Sequence, residues 1–369
     1  MTATPLALSQ SATDGREPRT AHLPAVGALR GIAALYVVAY HVMAIPKEHL
    51  AVGHGLLPFV AAGYSGVPLF FLISAFTLCH TMQGRSESRP ILRFYARRAI
   101  RILPLYYFLL LVSVARKYLL VHSRVSMLAL PLSVLVLFNL VPGKETGIVA
   151  ASWTIGVEVL FYVLFPALFR WVTSLERALG LFVATLALSA LFSLAVQALP
   201  YPQSTRDSFF DYSLVRSLPC FAVGMIVYWT YRALQPRGLP QIWAHALVAA
   251  AGLGFVVFAE ERCENLVIPA VVYSMLTIGL LFSNLRLLVN RVTEWLGDIS
   301  YSLYLWHPLV VVSLLPLYPR VYAHLPVTAA WAACFSVTLA VLIPLGYLSY
   351  RFIEQPTRRA GLRLLRQWA

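Results

Sequence analysis

Apolar runs of about twenty residues, the length that an α-helix needs to cross a bilayer, recur from residue 27 to residue 352. Nothing between these runs is long enough to form a separate soluble domain. Of the 369 residues, 59% are hydrophobic and only 12% are charged, whereas soluble domains average about 25% charged residues. The sequence therefore predicts an all-α fold, a polytopic membrane helical bundle that packs against membrane lipids.

About ten of these runs are predicted to be transmembrane helices. They cover residues 27–45, 58–80, 103–121, 153–172, 178–199, 213–231, 241–259, 265–282, 297–316 and 326–350. An eleventh apolar run, residues 127–141, is shorter and contains Pro131. If this run does not cross, the basic groups between the spans all fall on one side, which the positive-inside rule assigns to the cytoplasm. We therefore expect a short re-entrant or interfacial helix there, with both termini cytoplasmic.

The ends of the chain differ in composition from the middle. Residues 1–24 are predicted to be a polar, flexible N-terminal tail, residues 25–352 the transmembrane domain, and residues 353–369 a basic cytoplasmic tail. The net charge is +14, but the arginines cluster at helix ends, which indicates membrane topology rather than a nucleic-acid partner. The four cysteines, Cys79, Cys220, Cys263 and Cys334, have neither metal-ligand nor disulfide spacing, so no metal is expected.

The first span carries two ionisable residues, Arg30 and His41. Eleven residues at about 100° each bring them to one helical face, about 16 Å apart along the axis. Ionisable groups on a shared face inside a membrane favour a functional cavity. The alternative is an arginine that reaches the interface and a histidine that ends the helix.

A second polar feature follows the next span. Arg98 and Arg101, three residues apart, share a helical face, and Arg97 lies beside them. Anchoring of a membrane-spanning helix explains some of these residues, yet a paired guanidinium face also suits phosphate oxygens. Ser74, in a stretch rich in small and aromatic residues, could line a cavity, although helix packing is the favoured explanation of that stretch.

Two further spans contain polar residues that require partners. Glu158 lies in an otherwise apolar segment, where an unpaired carboxylate is costly. A partner such as His41 or Arg30 would make it either the orienting group of a general base or part of a structural ion pair. His307 precedes Pro308 in an apolar context, near Tyr304, and is either a site residue or a helix-boundary histidine at an interface.

Taken together and in this order, these stretches resemble acyltransferase family 3, the membrane O-acyltransferases that modify bacterial surface sugars. The resemblance covers residues 25–357. Its motifs match Arg30 and His41, the pair Arg98 and Arg101, Trp153 with Glu158, a block of Ser300, Tyr301, Tyr304 and His307, and an FFxxSG-like stretch of Phe70, Phe71 and Ser74 in which Ala75 replaces the usual glycine.

The resemblance implies transfer of an acyl group, usually acetyl, from acetyl-CoA to a carbohydrate or glycolipid hydroxyl, in the bacterial inner (plasma) membrane and without a metal. Many relatives carry an additional esterase domain, and from the end of this sequence we expect a stand-alone enzyme. The resemblance implies that His41 is the base and acts with Glu158 and Arg30. It implies that the donor is bound by Arg97, Arg98 and Arg101. The cavity would be lined by Ser74, Trp153, Tyr304 and His307. A homo-oligomer is compatible with the sequence.

A proton-coupled transporter of a sugar or lipid-linked saccharide is the alternative, because intramembrane Arg, His and Glu residues serve transport as well. No inverted repeat is evident, and the Arg98/Arg101 face argues for a phosphate-bearing donor. If a neutral histidine is the base, activity should fall as the pH drops below about 6.5.

Overall fold

A computed structural model describes residues 23–46, 50–83, 89–261 and 265–367. Within these ranges the chain forms sixteen α-helices and no strand. In chain order the helices are α1 Pro24–Ala44, α2 Leu57–Ala61, α3 Gly66–Met82, α4 Pro90–Leu119, α5 Ala129–Leu135, α6 Trp153–Trp171, α7 Leu175–Gln197, α8 Gln203–Asp211, α9 Leu214–Leu234, α10 Gln241–Glu260, α11 Val267–Phe282, α12 Arg291–Asp298, α13 Ser300–Leu314, α14 Tyr318–Tyr322, α15 Val327–Ser349 and α16 Gln355–Gln367. The predicted tail up to residue 22 and Cys263 lie outside the described residues.

The predicted all-α, polytopic bundle is confirmed. In the described ranges, eight helical segments are long and apolar enough to cross a membrane. The predicted spans 265–282 and 297–316 correspond to shorter helices, α11 of 16 residues and α13 of 15 residues. Span 297–316 is shortened because its first residues end α12, and the chain turns at Ile299 before α13 begins.

The apolar run at 127–141 forms only the seven-residue α5 and a 3₁₀ turn, Phe138–Leu140. At about 1.5 Å per residue, α5 is far too short to cross a bilayer. Two tyrosine hydroxyls of α4 hold its end, because Tyr106 donates to the carbonyl of Ser133 at 2.7 Å and Tyr107 to that of Val134 at 2.9 Å. This run therefore packs against the bundle as a short, non-spanning segment.

Helix α1 lies at the centre of the bundle and packs closely on α12 through glycines. A Cβ atom added to Gly297 would lie 2.0 Å from the carbonyl oxygen of Gly27, and one added to Gly31 would lie 2.7 Å from that of Thr293. Small residues let helix backbones approach closely in membrane bundles. Because Arg30 lies between these two contacts on α1, they fix its backbone beside α12 and α13.

The residue that departs from the FFxxSG-like motif, Ala75, lies at another close contact, between α3 and α9. Gly224 of α9 faces it, and a Cβ added to that glycine would lie 2.8 Å from the Cβ of Ala75 and 2.2 Å from the carbonyl oxygen of Leu72. The glycine on α9 therefore provides the space that the motif's own glycine would have provided on α3.

The described part of the predicted C-terminal tail is helical. A π-helical turn, Tyr350–Glu354, leads into α16, which packs against α4. Gly361 makes this contact close, because a Cβ added to it would lie 2.6 Å from the Cδ1 atom of Ile100. The C-terminal segment is therefore part of the bundle.

Candidate active site

A cavity of about 540 Å³, here called the basic cavity, opens between α1, α3, α4, α12, α13 and α16. Its charged lining consists mainly of arginines, namely Arg30, Arg93, Arg97, Arg98, Arg101 and Arg358. The carboxylates that line it are Asp298 and Glu354. Among the described residues, six guanidinium groups face two carboxylates, so this part of the cavity is strongly positive and suits a ligand that carries several negative charges.

The spacing of the arginines on α4 explains why they face one cavity. Arg93, Arg97 and Arg101 follow at intervals of four residues and so share one face, with Arg98 beside them. Arg98 also lies over the rings of Phe94 and Tyr162, 5.9 and 5.8 Å from their centroids. Within the described part of the chain, the Nε atom of Arg98 and the Nη2 atom of Arg93 are enclosed without a hydrogen-bond partner.

A narrower space of about 80 Å³, here called the inner chamber, continues from the basic cavity. The two share Arg30, Arg98 and Arg101, the neck arginines, together with Thr77 and Tyr301. The wall of the chamber beyond the neck is largely apolar and aromatic. A ligand could therefore hold a charged end in the basic cavity and extend a slender, less polar arm into the chamber.

Glu158 lines the inner chamber and has two hydrogen-bond donors. Its Oε1 atom accepts from the hydroxyl of Ser74 at 2.5 Å and from that of Tyr162 at 2.5 Å. The carboxylate also interacts electrostatically with Arg30 and Arg98. Its negative charge is therefore compensated by neck arginines, and its lone pairs accept hydrogen bonds from two hydroxyls. Both interactions lower the free-energy cost of a charge inside a membrane.

The imidazoles of His41 and His307 are in contact, with ring centroids 4.7 Å apart. The Nδ1 atom of His41 lies 2.8 Å from the carbonyl oxygen of Val37, and that of His307 lies 2.5 Å from the carbonyl oxygen of Tyr304. A carbonyl oxygen only accepts, so each Nδ1 carries the proton and each neutral ring presents its lone pair at Nε2.

The two histidines differ in access. His307 is fully buried, and its Nε2 atom has no hydrogen-bond partner among the described residues, whereas the side chain of His41 is only partly buried. Tyr304 joins them to the inner chamber, because it lines the chamber and its ring centroid lies 5.4 Å from that of His307. The hydroxyl of Thr154 donates to the Tyr304 oxygen at 3.0 Å, which leaves the tyrosine proton free to be donated.

One expected contact is not formed. The sequence offered His41 or Arg30 as the partner of Glu158. The carboxylate interacts with Arg30, whereas the orienting acceptor of His41 is the backbone carbonyl of Val37, and the hydrogen bonds of Glu158 come from Ser74 and Tyr162. The His41 alternative was wrong because hydroxyls and backbone carbonyls also satisfy such groups in an apolar segment.

The remaining predicted site residues lie in three different places. Arg97 lines the basic cavity only, whereas Ser74 and Tyr304 line the inner chamber. Trp153 belongs to neither lining and packs between rings, 4.9 Å from Tyr212 and 6.3 Å from Phe71. Its position is that of a packing residue at the start of α6.

The family profile of an acyltransferase domain, acyltransferase 3, matches residues 23–347. The chain belongs to this acyltransferase family. A protein of Komagataeibacter xylinus, provisionally named as a membrane-bound transacylase, is 26% identical over 353 residues, which cover 89% of this chain and 81% of that protein. A provisionally named acetyltransferase of Acidianus two-tailed virus is 25% identical over 78% of this chain and 83% of its own length.

A Bacillus subtilis protein, provisionally named as a peptidoglycan O-acetyltransferase, is 23% identical over 93% of this chain and 56% of that protein. No solved structure matches the chain significantly. The family match and the helical bundle together establish this protein as an integral membrane acyltransferase.

Several residues of the candidate site were not predicted from the sequence. Glu354 lines the basic cavity, accepts a hydrogen bond from the Ser302 hydroxyl and interacts with Arg101 and Arg30. Tyr162 follows Glu158 by four residues, so helical spacing could have identified it. Nothing in the local sequence indicates that Glu354 reaches the cavity, because α13 and the π-turn come together only in the folded bundle.

Proposed function

We propose that this acyltransferase moves an acyl group, most often acetyl, from acyl-CoA to a hydroxyl of a carbohydrate or glycoconjugate. The observation that carries the proposal is a cavity with six arginines among the described residues that continues into a narrow chamber lined by Tyr304, whose ring lies 5.4 Å from that of His307 in the histidine pair. Coenzyme A has the matching shape, with phosphates at one end and a slender pantetheine arm that carries the thioester at the other.

The basic cavity is the proposed donor entrance. Its neck arginines, Arg30, Arg98 and Arg101, would bind the diphosphate, since a guanidinium binds two phosphate oxygens in one plane. The arginine-rich ends of membrane helices usually face the cytoplasm, where acyl-CoA is available. From Arg30 to His41 the rise along α1 is about 16 Å, a distance suited to an extended pantetheine arm.

His41 is the proposed general base. Its Nδ1 proton is held by the Val37 carbonyl, so Nε2 is free to remove the proton of the acceptor hydroxyl as its oxygen attacks the thioester carbonyl carbon. The carbon–sulfur bond then breaks, coenzyme A leaves as the thiolate, and the proton on His41 is passed to it. The oxyanion that forms on the way needs a donor, which Tyr304 provides with its uncommitted hydroxyl proton or Arg30 with its guanidinium.

The proposed acceptor is a carbohydrate or a glycoconjugate, reached from the side of the bundle opposite the basic cavity. The side chain of His41 is partly exposed, which supports access by an acceptor. The name of the Bacillus relative, a peptidoglycan O-acetyltransferase, also supports a surface sugar as the acceptor class. The membrane is proposed to be the bacterial inner membrane, with both termini in the cytoplasm.

Labelled acetyl-CoA tests this proposal against a proton-coupled sugar transporter, which needs no coenzyme. Purified protein in lipid nanodiscs should bind [³H]acetyl-CoA and, with cell-envelope glycans present, transfer the labelled acetyl group to them. Mass spectrometry of surface glycans from cells with and without the protein identifies the acceptor by the added acyl mass. Binding of sugar without any binding of acetyl-CoA would overturn the acyl-CoA proposal and favour transport.

A further inference from the structure

The C-terminal helix α16 forms one wall of the basic cavity. Arg358, Leu362 and Leu365 line the cavity, and their spacing of four and three residues places them on one face of the helix. The family match ends at residue 347, before this helix begins. The family match therefore says nothing about what α16 does.

Two contacts fix α16 against the cavity. At its start, the Ser302 hydroxyl of α13 donates to the Glu354 carboxylate, which also interacts with Arg358. Further along, Gly361 lies so close to Ile100 of α4 that a Cβ atom would come within 2.6 Å of the Ile100 Cδ1 atom. The guanidinium of Arg358 is therefore carried on a segment that is held both before it, at Glu354, and after it, at Gly361.

The arginines of the cavity form two groups by position. The neck arginines line both the basic cavity and the inner chamber, whereas the mouth arginines, Arg93, Arg97 and Arg358, line the basic cavity alone. In coenzyme A the diphosphate joins the pantetheine arm directly, and the 3′-phosphate is on the ribose at the far end. With the arm in the chamber, the diphosphate falls at the neck and the 3′-phosphate towards the mouth.

We infer that Arg358 binds the 3′-phosphate of the donor and so makes the enzyme select acyl-CoA over its 3′-dephospho form. This inference rests on the proposed acyl-CoA donor. Arg358 comes from α16, which packs against the helix of Arg93 and Arg97, so it lines the mouth from a neighbouring wall. A doubly charged phosphate that contacts guanidinium groups of both helices gains charge-assisted hydrogen bonds from both.

The test compares two donors and four proteins, namely wild type and three variants. Full-length wild type, Arg358→Gln and Arg363→Gln are purified, and the Kd values of acetyl-CoA and acetyl-3′-dephospho-CoA are measured by equilibrium binding. Arg363 is exposed on the same helix and lies outside both cavity linings, so it controls for the loss of one positive charge from α16. Arg358→Lys, which keeps the charge, serves as a partial rescue.

Wild type and Arg363→Gln should bind acetyl-CoA roughly tenfold more tightly than the dephospho donor, since a hydrogen bond to a charged group contributes that much. Arg358→Gln should lose most of this preference while its affinity for the dephospho donor stays unchanged. An equal loss for both donors, or no loss for either, would overturn the inference. Wild type that binds neither donor would instead show that the proposed function is wrong.

Discussion

The imidazole rings of His41 and His307 lie 4.7 Å apart, and each directs its Nδ1 proton to a carbonyl of its own helix. Backbone oxygens, rather than a carboxylate, thus set the tautomer of both rings. The arrangement leaves two Nε2 lone pairs in one small region, one of them on a partly exposed ring. This pair, next to Tyr304, is the centre on which the proposed acyl transfer depends.

His41→Ala should abolish acyl transfer while acetyl-CoA still binds, because the donor's phosphates are held at the neck arginines. Loss of a general base lowers turnover by about 10²- to 10⁴-fold. Turnover in membranes and donor Kd are measured together. His324→Ala is the matched control, since the Nδ1 atom of His324 is likewise 2.8 Å from a carbonyl, that of Arg320, on an exposed loop. Full activity in His41→Ala would exclude the base role.

The tautomer of His41 can be observed directly. In bilayers containing ¹⁵N-histidine-labelled protein at neutral pH, solid-state NMR should show His41 with a protonated Nδ1 and a bare Nε2, because the Val37 carbonyl accepts only from an N–H. The signals of His41 are assigned as those that are missing from the spectrum of His41→Ala. A signal from a protonated Nε2 on a neutral His41 ring would contradict the proposed direction of proton transfer.

Arg98→Ala should chiefly weaken donor binding, raising the KM for acetyl-CoA about tenfold or more while kcat changes little, because a charge-assisted contact to phosphate is lost. Steady-state kinetics with varied acetyl-CoA measure the two constants separately. Arg116→Ala, on the same helix but outside both cavities, is the control. A fall in kcat at constant KM would place Arg98 in the chemical step instead.

Glu158 should contribute to stability through its two hydroxyl partners. Ser74→Ala and Tyr162→Phe each remove one hydrogen bond, worth about 1 kcal/mol. Glu158→Ala should cost about 3 kcal/mol or more, since it removes the carboxylate that compensates Arg98 and part of the compensation of Arg30. The midpoints of thermal unfolding in detergent are measured for the three variants and compared with that of wild type. The control is Ser336→Ala, whose exposed hydroxyl bonds only to its own helix, and an equal midpoint for it and Glu158→Ala would refute this role.

Gly297→Ala should disturb both stability and donor binding. The added methyl would lie 2.0 Å from the backbone oxygen of Gly27, so α12 must move away from α1 and take the surroundings of Arg30 with it. Overpacking of this kind costs about 1 to 3 kcal/mol. Gly252→Ala, which has no atom within 4 Å of the new methyl, should be neutral or stabilising because alanine favours the helix. Unfolding midpoint and acetyl-CoA Kd are compared for the two variants.

The sequence by itself determined the bundle, because a span must be apolar for about twenty residues to satisfy its backbone in lipid. It also identified the ionisable residues that stand out within or beside apolar spans. Helical periodicity brought Arg98 and Arg101 to one face, and both line the neck with Arg30. The shortening of the span at 297–316 was not predictable, since hydropathy does not register the turn at Ile299.

Only the tertiary structure decided the partners of those residues. Ser74 is 84 positions from Glu158, and Glu354 reaches the cavity because α13 and the C-terminal turn meet there. Because lipid tails are as apolar as helix surfaces, the hydrophobic effect does not favour one helix neighbour over another. Close contacts at small residues such as Gly31 and Gly297 therefore determine which helices pack together. These contacts depend on the shapes of two helices at once, which no local stretch of sequence contains.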